Sequence, residues 1–154
     1  MMTPPIRQFD NVGHSPAWPL IPAAMAELET MGFGFHPSHP PVWHDHCLVL
    51  LHDYEVRGFM VYRHEEALAS WFILLAWVSP VWRRSGIHTA LFSALVERAE
   101  ARGDILSINS GTHPDNLPAQ AAFEAQARNK SAIMYRYPIR EHLAGRPYLD
   151  LETK

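Results

Sequence analysis

Two arginines, a serine and a glycine stand together at Arg83-Arg84-Ser85-Gly86, between an apolar run that ends at Trp77-Val78 and a helical pattern that begins with Ile87-His88-Thr89. Those residue types in that order suit an anion. The first turn of a helix presents backbone N–H groups without intrahelical acceptors, and its dipole favours negative charge there. Glycine lets the backbone approach the anion closely, and arginine adds charge and forked donors. A solvated basic turn has the same composition, so the loop taken alone leaves both readings open.

A second cluster is dense in metal-ligand types: His36, His39, His44, His46 and Cys47. Their spacing matches no zinc pattern and prolines interrupt it, so no metal is expected. Phe33–His46 reads instead as a surface loop suited to walling a pocket. Cys47 as a nucleophile needs a partner that stabilises its thiolate. The adjacent His46 would point to the other face of a strand, which favours a buried structural cysteine.

These residues must be held by regular elements, and the chain offers them in a clear order. Pro5–Phe9 suits a short edge strand, and Pro22 opens a helix through Met31, with Ile21, Met25 and Leu28 on one face and Gly32 as its cap. Cys47–His52, Val56–Tyr62 and Leu68–Val78 read as strands, with polar breaks at Asp53–Glu55 and Arg63–Glu66 that imply antiparallel hairpins. The third is apolar on both faces and is expected at the sheet centre. Ile87, Ala90, Leu91, Ala94, Leu95 and Ala99 then recur at helical spacing, closed by Gly103. Leu106–Ser110 predicts a parallel strand completing a β-α-β crossover, Leu117–Ala127 a further helix and Ala132–Tyr137 a last strand. The tail from residue 140 to 154 is polar.

Composition narrows the function classes. A chain of 154 residues with 47% hydrophobic and 19% charged residues can bury a core and reads as one domain, 1–154, with an irregular Pro/His-rich first third. A net charge of −3 gives no reason to expect nucleic acid as partner. The single cysteine excludes an internal disulfide. The first residues lack the apolar core of a signal peptide, and Trp71–Val78 is too short to cross a bilayer, so no membrane partner and a cytoplasmic protein are expected.

The order strand, Val-x-Pro-x-x-Arg-x-x-Gly-Ile, helix, strand, Asn-x-x-Ala-x-x-x-Phe resembles the GCN5-related N-acetyltransferase (GNAT) superfamily, most specifically over residues 68–124. The resemblance implies an α/β (α+β) fold with a mixed, mostly antiparallel central sheet flanked by helices and a β-α-β acyl-CoA-binding core. It assigns Arg83, Gly86 and His88 to the pyrophosphate loop, with Arg84, Ser85, Ile87 and Thr89 beside them. Asn116, Ala119 and Phe123 match the downstream motif, and backbone N–H near Trp77 and Val78 would hold the acyl oxygen. His88 replaces a usual small residue, Phe123 stands where many relatives carry a tyrosine, and Ala127-Arg128 replaces a common Gly-Phe. Trp71–Leu75 lacks the glutamate some relatives use as a base; Tyr135 or Tyr137 could serve as acid in place of the missing tyrosine, although packing is the favoured reading of both.

The resemblance therefore implies direct transfer of an acetyl group from acetyl-CoA (coenzyme A) to a primary amine of a small-molecule or protein acceptor. The alternative is a non-catalytic acyl-CoA-binding or protein-interaction module. Oligomeric state is open, a dimer included.

Overall fold

Asp53-Tyr54 separates two apolar runs, and in the computed structural model, which describes residues 5–31, 40–135 and 137, both take left-handed backbone with φ of 52° and 62°. Such a pair makes a tight two-residue turn whose twist matches the strands it joins. It connects β2 (His46–His52) to β3 (Glu55–Glu65), paired antiparallel from His52↔Glu55 to His46↔Tyr62. On the outer side of β2 lies β1 (Ile6–Phe9), also antiparallel. On the far side of β3 comes β4 (Ser70–Val78), antiparallel, and then β5 (Ser107–Ser110), parallel to β4. The sheet is thus mixed and mostly antiparallel, in the order β1-β2-β3-β4-β5.

One face of this sheet is covered by α2 (Ile87–Arg102). Ile87, Leu91, Leu95 and Ala99 follow one another at four-residue steps, so they share a stripe, and all four are buried against Leu48, Leu50, Met60, Tyr62, Trp71 and Ile73. Each fully buried leucine in such a stripe stabilises by about 1.5–3 kcal/mol. The opposite face bears Cys47, whose thiol meets the Ser15 hydroxyl. Ser15 belongs to a buried N-terminal stretch with Val12, Ala17, Ile21 and Ala24 that leads into α1 (Ile21–Thr30).

Several expectations need correction. Arg63–Glu66 reads as a polar break, yet β3 continues to Glu65 because Arg63 is neutralised by buried Asp45, with Nε and Nη2 at 2.8 and 2.9 Å from its carboxylate oxygens. The turn falls instead at Glu66–Leu68, capped by left-handed Ala69, and Leu68 is exposed rather than in the strand. β4 is an interior strand but not the central one, which is β3. Among the described residues Ala132–Tyr137 forms no strand: Ile133, Met134, Tyr135 and Tyr137 are exposed, and a strand without a paired neighbour leaves its backbone groups unmatched. Gly32, Phe33–His39 and the tail 140–154 lie outside the described residues.

By contacts the chain forms two compact units, residues 1–24 with 40–111 and residues 25–39 with 112–154. The first holds the whole sheet and α2. The second holds the end of α1 and α3 (Leu117–Ala125).

Candidate functional site

The start of α2 is built by the strand before it. β4 ends at Val78, Pro80–Trp82 makes one 3-10 turn, and the chain reaches Ile87 through two left-handed residues, Arg84 (φ 64°) and Gly86 (φ 82°). Left-handed backbone costs a non-glycine residue about 1–2 kcal/mol, so Arg84 is held there by its surroundings. The Ser79 amide donates to Arg57 O at 2.9 Å, Arg83 Nε to Val78 O at 3.0 Å, and the Ser85 hydroxyl to Trp82 O. Gly86 occupies the N-cap position of α2 and supplies no side chain to cap it. Among the described residues, a Cβ at Gly86 would meet nothing within 4 Å. Arg83, Arg84, Ser85 and Thr89 are exposed, His88 is half-buried and Ile87 is anchored in the core.

Two features missing from the sequence reading place this helix end. Gly58 on β3 lies under it: a Cβ there would stand 2.7 Å from Ile87 Cγ2 and 3.1 Å from Trp77 O. A glycine in a strand often marks such a close approach, a signal that was available. The second is a bulge in β4. Val61 pairs with Leu75 and Tyr62 with Ile73, leaving Leu74 without an opposite residue. Pairing of β4 with β5 ends nearby, at Ile73↔Ser110. From Leu74 through Trp77 and Val78, no described strand takes up the β5 side of β4. Trp77 is half-buried, its ring 5.6 Å from Phe59.

In the second unit, Asn116 is the N-cap of α3, its side-chain oxygen accepting from Ala119 N at 3.2 Å. The Asn-x-x-Ala spacing is therefore that of a side-chain cap bonding the third helical amide. Phe123 is half-buried under the Arg128 guanidinium, 4.1 Å above its ring, and burial lowers the Arg128 pKa. Ala127 closes the helix in left-handed backbone (φ 60°).

Burial pushes the Cys47 thiol up to about 12, with the Ser15 and Met60 bonds pulling weakly the other way, so Cys47 is no nucleophile at neutral pH. His44 is exposed, and the His46 ring lies 5.3 Å from Tyr62 with its Nδ1 buried and without a hydrogen-bond partner among the described residues. Among the described residues no group of three or more His, Cys, Asp or Glu could hold a metal ion; His36 and His39 lie outside them.

The model of the acetyltransferase (GNAT) family matches residues 18–127, which include the loop, α2 and α3. The chain belongs to the GNAT acetyltransferase family. Solved structures agree on the fold. The aminoglycoside N-acetyltransferase AAC(6')-Iy in complex with CoA is 21% identical, with 88% of this chain and 99% of that one covered, at a TM-score of 0.62. An aminoglycoside acetyltransferase from an uncultured soil metagenomic sample, in complex with trehalose, is 13% identical over 88% and 96%, at 0.64. The N-acetylglutamate synthase of Neisseria gonorrhoeae, complexed with coenzyme A and N-acetyl-glutamate, is 21% identical over 77% of this chain and 27% of that one, at 0.54. No curated protein sequence is similar enough to count as a relative. No helix of the described residues is long and apolar enough to cross a membrane.

β4 carries no acid from Trp71 to Val78, Phe123 has no hydroxyl, and Tyr135 is 89% exposed on a segment without regular structure.

Proposed function

We propose that the chain is an acetyl-CoA-dependent N-acetyltransferase that moves an acetyl group directly to a primary amine. The observation that carries this is the start of α2, where an uncapped left-handed glycine opens onto free space beside two arginines. That arrangement fits a pyrophosphate, which needs converging N–H donors, positive charge and no side chain in the way. Arg83, Arg84 and the backbone of Ser85–Thr89 would hold it. Coenzyme A supplies the acyl group as a thioester. The open edge of β4 from Leu74 to Val78 would receive the pantetheine arm, and its backbone N–H groups near Trp77 and Val78 would meet the negative charge that grows on the acyl oxygen. In the second unit, Asn116 shapes the first turn of α3 by accepting from the Ala119 amide.

The attacking amine must be neutral. With no carboxylate on β4, deprotonation falls to water or to the amine's own equilibrium, so turnover is expected to rise with pH toward the amine's pKa. Two similar structures are aminoglycoside acetyltransferases, which supports a small-molecule amine over a protein lysine. The bare acid–base side supports a second reading, an acyl-CoA-binding module without turnover.

Titration calorimetry of coenzyme A and thiol release from acetyl-CoA across an amine panel separate these. The wild type should bind in the micromolar range. Arg83→Ala should bind about 10- to 150-fold more weakly, the equivalent of about 1.5–3 kcal/mol for a charge-assisted hydrogen bond. Binding with no thiol release for any amine would favour the second reading. Absence of binding would overturn both.

A further inference from the structure

We propose that Arg57 is a positioning residue for the anion loop, acting through Trp82; the inference rests on the coenzyme A reading above and deepens it. Arg57 sits at an irregularity of β3. Leu50 pairs with Gly58 but Leu51 with Val56, so Arg57 is an extra residue in the ladder. A bulge of this kind redirects the side chain it carries. Here the guanidinium carbon lies 3.7 Å from the centroid of the Trp82 ring, within the range of a cation–π contact. Its Nη2 lies 2.6 Å from His52 Nδ1.

Trp82 is fixed from further directions. Its indole N–H donates to Glu55 Oε1 at 2.9 Å, and the ring also packs against the α2 core. Trp82 is the last residue of the turn that feeds Arg83, Arg84 and Gly86, and its carbonyl takes the Ser85 hydroxyl. Arg57 thus grips the loop twice: its carbonyl accepts the Ser79 amide at the loop's entry, and its side chain clamps Trp82 midway. Two left-handed residues, Arg84 and Gly86, lie two and four positions past that clamp. Such backbone persists where neighbours over-determine it, and Arg57, Trp82 and Glu55 are the neighbours that do so. The geometry needs a planar cation, because a lysine ammonium cannot lie flat on the indole while reaching His52.

Calorimetric titration of coenzyme A into wild type, Arg57→Lys, Trp82→Ala, Trp82→Phe and the double variant Arg57→Lys/Trp82→Ala, well below each melting temperature, tests this. Arg57→Lys and Trp82→Ala should each weaken binding about tenfold, or about 1.4 kcal/mol. The double variant should be no worse than either single one, because both break the same contact. Trp82→Phe keeps a ring under the guanidinium and should recover most of the affinity. Equal affinity in wild type, Arg57→Lys and Trp82→Ala, whatever their melting temperatures, would overturn the positioning role and leave the cofactor reading intact. Fully additive losses would overturn the coupling through Trp82. A wild type that binds no coenzyme A would overturn the cofactor reading itself, and this one with it. Should Trp82→Ala fail to fold, Arg57→Lys against Trp82→Phe still decides.

Discussion

The two helices that carry the family motif begin in opposite ways. α2 starts at Gly86, left-handed and without a capping side chain, whereas α3 starts at Asn116, whose own oxygen takes the Ala119 amide. Both starts leave amide donors by helix geometry. At α3 the protein satisfies one of them itself. At α2 the cap is a glycine without a side chain, Arg84 takes left-handed backbone, and the loop is braced from β3. A capped start stabilises its own helix, and the braced start is the one we propose for the ligand. The same short-motif reading covers both, so only local geometry tells them apart.

The sharpest way to break this contrast is at its glycine. Gly86→Val forces a β-branched side chain into left-handed backbone and into the space a phosphate would use. Gly103, at the other end of α2, has the same φ of 82° and equally open surroundings, with its amide donating to Ala99 O at 3.2 Å. Gly103→Val therefore carries matching strain without touching the anion site. Both variants should lose similar melting temperature, but Gly86→Val alone should weaken coenzyme A binding, by about a hundredfold or about 2.8 kcal/mol. Equal affinities in the two variants would show that the loss, if any, is strain and not recognition.

A smaller effect is expected at the capped start. Asn116→Ala should destabilise by about 1 kcal/mol, the usual worth of an N-cap, and Asn116→Asp should restore most of it. Coenzyme A affinity should change by less than about threefold, that is, by under about 0.7 kcal/mol. A large affinity loss with an unchanged melting curve would reverse the assignment and make Asn116 a direct ligand contact.

Much of this was legible in the residues. The strand–loop–helix order, the capping glycine Gly103 and the helical recurrence of Ile87, Ala90, Leu91, Ala94, Leu95 and Ala99 follow from local chemistry; the structure realises the helix and its cap, and buries Ile87, Leu91, Leu95 and Ala99 while Ala90 and Ala94 are half-buried. What failed depended on partners distant in sequence. Arg63 looked like a strand end because Asp45, which neutralises it, precedes β2. Tyr135 and its neighbours alternate like a strand, but alternation cannot supply an edge to pair with. Arg57 and Trp82 stand far apart along the chain, and the bulge that joins them has no sequence mark. The candidate loop was therefore readable as a loop and helix start, and its bracing was not.

The smallest effect is expected at the close of α3, where Ala127 stands in left-handed backbone (φ 60°) just past the cap residue Gln126. Helices commonly end on such a residue, and glycine is its usual occupant because no Cβ meets the neighbouring carbonyl. Alanine there carries strain of about 1–2 kcal/mol, while glycine would cost about 0.4–1 kcal/mol through the freer unfolded chain. The strain is the larger of the two. Ala127→Gly should therefore stabilise by about 0.5–1 kcal/mol, raising the melting temperature by about 1–4 °C for a chain of this size. Slower hydrogen exchange in α3 should accompany it, with coenzyme A affinity unchanged. The bonds that close the turn, Ala127 N to Glu124 O at 3.0 Å and Arg128 N to Phe123 O at 3.1 Å, are main-chain contacts that survive the substitution. A fall in melting temperature would mean that the alanine methyl packs usefully or that the strain is already relieved. The left-handed close of α3 would then cost as little as its capped start, and the contrast with α2 would rest on the braced loop alone.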